Sequence, residues 1–315
     1  MAHHIGSAPF PGAAPRGPIR SVPPGYVLHR VGSTSLILDR KREEELVHLR
    51  LADSPTRARL FGRGPRRGRG TTPSVALTRE ESVVLRRYRH GGLLGWLAGP
   101  LFLGPGRALA ELEVTARAEE AGAPVPHAFC LVVWPRVGPL WSALIGTREE
   151  SGAQDLLVAT RACANARERV QLARAVGSAL RRLHDTGVEH GDLQLGNVLV
   201  RGDSAGSPSA MTSSRIVVVD LDGARFERRG PLDTRRRARN LGRLIRSVVK
   251  TGTWPERAGR RELAGLLGGY TDGDRALRGA LRRLAAWERT KLAIHRIGYF
   301  LWGARRRARA AAPLR

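Results

Sequence analysis

The apolar positions of this chain change period along its length. Ser82 to Tyr88 opens with Val83-Val84-Leu85 and ends in basic residues, which predicts a strand. Cys130 to Trp134 predicts a second short apolar strand. Between them the pattern predicts a helix from about Arg107 to Ala121. Gly122 suits the position just past its end, and Pro124 and Pro126 prevent its continuation. From Ala166 to Asp185, Val170, Ala173, Val176, Leu180 and Leu183 recur at helical spacing, with Gly187 as terminator. Asn197 to Val200 and Ile216 to Val219 read as short strands joined by the Gly- and Ser-rich stretch 202–214. Beyond them the pattern is helical near 235–250, 259–268, 274–288 and 290–309.

Strands early and helices late predict an α+β chain of two lobes. Residues 1–25, rich in Pro, Gly and small residues, read as a flexible leader. Residues 26–148 form a small β-rich N-terminal lobe with one helix, and 149–315 a larger, mainly helical C-terminal lobe. Residues 26–60 have mixed character, and Phe61 to Thr72 is a Gly/Arg-rich turn region.

Composition narrows the setting. No run of about 18 apolar residues exists, so no bilayer-spanning helix is expected. The nearest approach, Leu93 to Leu103, is interrupted by Gly95, Gly99 and Pro100. The N-terminus lacks the apolar stretch of a secretory signal, which makes the cytoplasm the expected location. Cys130 and Cys163 suggest neither a disulfide framework nor a metal cluster. The formal charge is +26, and all but three (Lys41, Lys250, Lys291) of the 54 basic residues are Arg. Two explanations stand: Arg-rich coding by a GC-rich genome, and an anionic partner such as a membrane surface or a phosphorylated substrate. With no zinc spacing or aromatic-basic RNA motif, nucleic acid ranks last.

The chemistry concentrates in one segment. His190-Gly191-Asp192-Leu193-Gln194-Leu195-Gly196-Asn197 has the form H-x-D-L-x-x-x-N, after a long helix and before a strand. A carboxylate at Asp192 can orient an acceptor hydroxyl and take its proton as the oxygen attacks phosphorus. Asn197 can offer an amide oxygen to Mg2+, a hard cation that prefers oxygen. Asp220, at the end of Val217-Val218-Val219, supplies the second ligand, and together they would hold metal against the phosphates of ATP. His190 reads as structural, holding the loop through hydrogen bonds. These features point to a protein-kinase-like phosphotransferase.

The N-terminal half offers weaker signals. Glycines of Phe61-Gly62-Arg63-Gly64 and Arg67-Gly68-Arg69-Gly70-Thr71 would let backbone N–H groups approach phosphates, and make Gly68, Gly70 and Thr71 candidate nucleotide contacts. Arg86 closes the strand where a kinase-like fold places its phosphate-gripping base. Its helical partner is Glu111 or Glu113. Glu113 lies nearer the Leu109–Leu112–Ala116 stripe, while Glu111 shares a face with Val114 and Ala118, so the wheel leaves the choice open.

These residues resemble the lipopolysaccharide kinase superfamily, particularly its 3-deoxy-D-manno-octulosonic acid (Kdo) kinases. The resemblance runs from about Gly62 to Lys250 and is carried by Gly68 to Thr71, Val84 to Leu93, Arg107 to Glu111, Gly122 to Pro126, His184 to Asn197, Asp220-Leu221-Asp222 and Asn240 to Ser247. It is most specific in Arg86 to Gly92 and at Asp222, where most kinase-like enzymes have Gly. The distance from Glu111 to the Pro-Val-Pro turn implies Glu111 as the partner of Arg86. The resemblance implies ATP and Mg2+ as cofactors and a hydroxyl of Kdo in Kdo-lipid A as acceptor. It also implies peripheral contact with the anionic cytoplasmic face of the inner membrane. Gln194 departs from the Asn of the family pattern, and the 202–214 loop is longer. Gly191 is shared with small-molecule kinases of the aminoglycoside phosphotransferase type, which is the alternative reading. A pseudokinase scaffold is the second alternative, and retention of Asp192, Asn197 and Asp220 together argues against it.

Overall fold

The computed structural model describes residues 19, 21–62, 72–88, 101–202, 211–227, 230–252 and 259–284. The chain forms two compact units: Met1–Gly152 with Val219–Ala224, and Ala153–Val218 with Arg225–Arg315.

The first unit is built on an antiparallel sheet. Its strands are β1 (Tyr26–Val31), β2 (Thr34–Asp39), β3 (Ser74–Ala76), β4 (Ser82–Arg87), β5 (Phe102–Leu103), β6 (Ala128–Pro135) and β7 (Leu140–Arg148). Their spatial order is β1-β2-β6-β7-β4-β3, with β5 also paired to β7. Gly32, at φ 57, turns β1 into β2, and Val31 pairs with Thr34 across a two-residue loop.

Both faces of this sheet are covered, which explains the continuous apolar run in β6. Leu131 and Val133 pack with Ile37, Ile145 and Leu112 on one face. Cys130, Val132 and Trp134 pack with Leu36, Leu38, Leu46 and Leu144 on the other. Leu112 belongs to helix α3 (Gly106–Glu120) and Leu46 to α1 (Glu43–His48). Strand β7 passes so close to its neighbours that a Cβ at Gly146 would lie 2.6 Å from Cys130 Sγ and 2.8 Å from Val83 Cγ1. Helix α2 (Ser54–Gly62) takes in Phe61 and Gly62. This corrects the expected turn at its start; residues 63–71 lie outside the described residues.

His127, just before β6, ties three elements together. Its Nδ1 meets Glu119 Oε2 at 2.7 Å and its Nε2 meets Asp39 Oδ2 at 3.1 Å. A neutral imidazole can donate to one carboxylate only, whereas the imidazolium donates to both. Burial pulls this group's pKa down, but the hydrogen bonds and charges of Glu119 and Asp39 outweigh that and leave it raised above the usual 6.5. A raised folded-state value contributes stability that is fully present below about pH 6.5 and lost as pH rises through the folded value. Denaturation midpoints measured across that window should therefore fall with pH in the native chain. In His127→Gln the midpoint should start lower and that component of the slope should vanish; an unchanged slope would remove His127 from the account.

The second unit contains β8 (Gln154–Asp155), α4 (Leu156–Ala162), α5 (Ala166–Asp185), β9 (Val188–Glu189), β10 (Val198–Val200), β11 (Ile216–Val218), β12 (Arg225–Phe226), α6 (Thr234–Thr251) and α7 (Gly259–Thr271). Residues 275–284 are helical as well. Helix α5 opens on a reciprocal cap: Glu168 N–H donates to Asn165 Oδ1 at 3.0 Å, and the Glu168 carboxylate accepts from Ala164 N–H at 2.8 Å. Helices α5 and α7 meet backbone to backbone. A Cβ at Gly177 would lie 2.1 Å from the Leu266 carbonyl oxygen, and one at Gly269 would lie 2.0 Å from that of Arg174. This contact fixes Tyr270 beside α5, within hydrogen-bond distance of His184.

Candidate active site

The expected residues fall in two groups, one in each unit. In the second unit, His190 to Asn197 forms a loop between β9 and β10, ending in a single 3-10 turn at Leu195–Asn197. His190 is fully buried. Its Nδ1 accepts from the Asp192 backbone N–H at 3.0 Å, which holds the loop at the residue carrying the key carboxylate. The Asp192 side chain is exposed. Gln194 Nε2 donates to its Oδ2 at 3.1 Å. Asn197 Nδ2 donates to the Asp192 carbonyl at 2.8 Å, so the remaining ligand atom of that amide is Oδ1.

The loop hangs on Asn240 of helix α6, a residue to which periodicity assigns no role. Asn240 is wholly buried. Its Oδ1 accepts from His190 N–H at 3.2 Å and its Nδ2 donates to the His190 carbonyl at 2.7 Å. Arg243 Nη1 donates to the same carbonyl at 2.9 Å. Asn240 Oδ1 also meets His184 Nε2 at 3.0 Å, and His184 Nδ1 meets the Tyr270 hydroxyl at 2.7 Å.

Burial drives the His184 pKa down to about 4, so this ring is neutral. The network then assigns its proton to Nε2, which donates to Asn240, while Nδ1 accepts from Tyr270. The Tyr270 oxygen in turn accepts from Arg237 Nη1 at 3.3 Å, and Arg237 Nη2 reaches Asp185 at 2.7 Å. Every member of this chain has a complementary partner, and Asn240, His184, Tyr270 and Arg237 are buried, which gives it rigidity.

The first unit brings Arg86, Glu111, Asp220 and Asp222 together. Arg86 is the penultimate residue of β4 and its guanidinium pairs with Glu111 of α3. Glu113 instead pairs with Arg117 at 2.8 Å, one turn along its own helix. The buried residues of α3 are Ala108, Glu111, Leu112, Val114, Thr115 and Ala118, so the charged residue lies among them. Burial opposes a charge on Arg86, but Glu111 and Asp220 outweigh it and hold the guanidinium protonated well above its usual range. Burial pushes the Glu111 carboxyl up, against the opposing pull of Arg86. Arg86 Nη2 also lies 3.3 Å from Asp220 Oδ1, and its guanidinium sits 5.0 Å over the Tyr88 ring.

Asp220 has φ 63, a left-handed conformation unusual for a residue with a Cβ. Strain of this kind collects at functional loops. Carboxylate oxygens of Glu111, Asp220 and Asp222 lie within 4.8 Å of one another. Hard oxygen donors at that spacing are of the kind Mg2+ prefers. Gly68, Gly70 and Thr71 lie outside the described residues. Among the described residues no helix is long and apolar enough to cross a membrane.

Comparison with known proteins gives this geometry a context. Residues 57–270 match the model of the lipopolysaccharide kinase (Kdo/WaaP) family. A 3-deoxy-D-manno-octulosonic acid kinase of Vibrio cholerae is 31% identical over 141 residues, covering 44% of this chain and 58% of that protein's length. The corresponding kinase of Haemophilus influenzae is 30% identical over 196 residues, covering 59% of this chain and 75% of the relative. A solved structure of WaaP in complex with acyl carrier protein superposes with a TM-score of 0.52 at 24% identity, covering 81% of this chain and 97% of that one. The α+β architecture is thus a kinase-like fold.

Proposed function

The chain belongs to the lipopolysaccharide kinase (Kdo/WaaP) family, and we propose that it is an ATP-dependent kinase acting on a sugar hydroxyl of the lipopolysaccharide inner core. The favoured acceptor is Kdo of Kdo-lipid A. One observation carries this reading: the stretch matched to the family, 57–270, contains Arg86, Glu111, Asp192, Asn197 and Asp220 together.

Each residue has a role that its surroundings support. Asp192 Oδ1 orients the acceptor hydroxyl and receives its proton, while Gln194 keeps the other carboxylate oxygen occupied. Asn197 Oδ1 and the Asp220 carboxylate would hold Mg2+, and Arg86, kept in place by Glu111, would bear on the nucleotide phosphates. Bound Mg2+–ATP supplies the phosphoryl group and neutralises its charge. A formal charge of +26 suits an anionic glycolipid at the cytoplasmic face of the inner membrane and suits a cationic aminoglycoside poorly.

The metal assignment has a direct test. Asp220→Asn should weaken Mg2+–ATP binding by about tenfold or more, ~1.4 kcal/mol, and weaken metal-free ATP binding much less. Calorimetric titrations with and without Mg2+ separate the two. Equal losses in both would remove Asp220 from the metal site, and metal-independent transfer would remove the metal from the mechanism.

A further inference from the structure

Asp222 is the third carboxylate of the Glu111–Asp220–Asp222 group, and its geometry sets it apart from the other two. Both its oxygens are engaged by one guanidinium: Arg107 Nε donates to Oδ1 at 2.7 Å and Arg107 Nη2 donates to Oδ2 at 2.6 Å. This planar two-point contact gives orientation as well as attraction. It joins residues 115 positions apart in sequence. The Asp222 side chain is 15% exposed and that of Arg107 44%.

The place of Arg107 in its helix is an independent clue. Arg107 lies in the first turn of α3, which has no acidic residue and no side-chain cap. A cation there opposes the positive end of the helix macrodipole, so its position calls for a compensating anion. Asp222 brings one. The same helix carries Glu111 one turn further on, and through Arg86 it reaches Asp220. Helix α3 therefore holds the Asp220-Leu221-Asp222 segment at two points.

We infer that Asp222 is a positioning residue, clamped by Arg107 so that the Asp220 loop is fixed on helix α3, and that it is not a ligand of the metal. Aspartate at 222, where kinase-like enzymes commonly have Gly, is then one half of a latch. The inference rests on the phosphotransferase reading for its consequence in catalysis, while the latch itself can be measured without turnover.

The test compares Arg107→Ala, Asp222→Ala, the double variant and the exchanged pair Arg107→Asp/Asp222→Arg in the full chain. Amide hydrogen exchange is read over 219–224, where Ala224 N–H donates to the Leu221 carbonyl at 2.9 Å. Each single variant and the double should speed exchange there by the same factor, about tenfold, because residues acting as one unit are not additive. The exchanged pair should recover part of the protection. The Mg2+ midpoint for ATP binding should move less than about twofold in both single variants, and kcat should fall while KM for ATP holds.

If Asp222 is instead a metal ligand, Asp222→Ala will shift the Mg2+ midpoint strongly. Arg107→Ala, by freeing that carboxylate, will leave the midpoint unmoved or tighten it. That result, or unchanged exchange in all variants, overturns the inference. Absence of phosphoryl transfer by the native chain would count against the kinase reading and leave the exchange result to be judged separately.

Discussion

Asp192→Ala should reduce phosphoryl transfer by about 10²–10⁴-fold, the range a positioned general base contributes, while ATP affinity stays within about twofold. The expectation follows from how the loop is held. The backbone of Asp192 is fixed by His190 Nδ1, and its side chain receives one hydrogen bond, from Gln194. Truncation leaves both His190 and the Asn197 contact to the Asp192 carbonyl in place, since those contacts use main-chain atoms. Rate and nucleotide binding should therefore separate. Equilibrium ATP binding and single-turnover rates on the same preparations decide it. A fall in affinity as large as the fall in rate would show that Asp192 serves the nucleotide and not the acceptor.

Asn240→Ala should be the most damaging substitution remote from the chemistry. The side chain makes three hydrogen bonds, to His190 N–H, the His190 carbonyl and His184 Nε2, all in buried surroundings. Arg243 still serves the carbonyl, but two buried donors lose their acceptor. At about 1–3 kcal/mol for each stranded group, the loss should be ~3–5 kcal/mol. That is a large part of the roughly 5–15 kcal/mol by which a domain is stable. Urea unfolding should show a lower midpoint at unchanged slope. The surviving folded fraction should transfer phosphate poorly, because His190 positions Asp192. A loss under about 1 kcal/mol would mean that the network is not what holds the loop.

These two residues differ in how well the sequence announces them. Asp192 lies in a motif with fixed spacing and a readable context. Helix α5 runs from Ala166 to Asp185, the bounds its apolar spacing predicts, because Asn165 and Glu168 cap one end and Gly187 closes the other. Asn240 contacts a residue 50 positions away, and no local pattern reports a contact of that range. It is one of the residues carrying the family resemblance, and nothing near it in sequence marks its role.

The helix partner of Arg86 shows a related limit. Counting apolar residues on α3 leaves Glu111 and Glu113 level. The buried stripe includes Glu111 itself, a position made tolerable by an ion pair from another strand. Strand β7 is not announced by the sequence, because Ser142 and Gly146 interrupt its apolar run. Gly146 is required by close sheet packing that only the fold reveals. The β1–β2 hairpin and helices α1 and α2 fell within a stretch whose mixed polarity hid its periods.

The proposed reaction is transfer of the γ-phosphate of ATP to an anionic core glycolipid. It is tested most directly by radiolabelled transfer to Kdo-lipid A, with an aminoglycoside panel alongside and Asp192→Ala protein as the blank, at low and high salt. Label is expected on Kdo-lipid A, none on aminoglycosides, and none above background with the variant. The rate should also fall as salt rises, because screening shortens from about 10 Å at 0.1 M to about 3 Å at 1 M and weakens the attraction of a chain of charge +26. Label on an aminoglycoside or a polypeptide, with none on Kdo-lipid A, would contradict it.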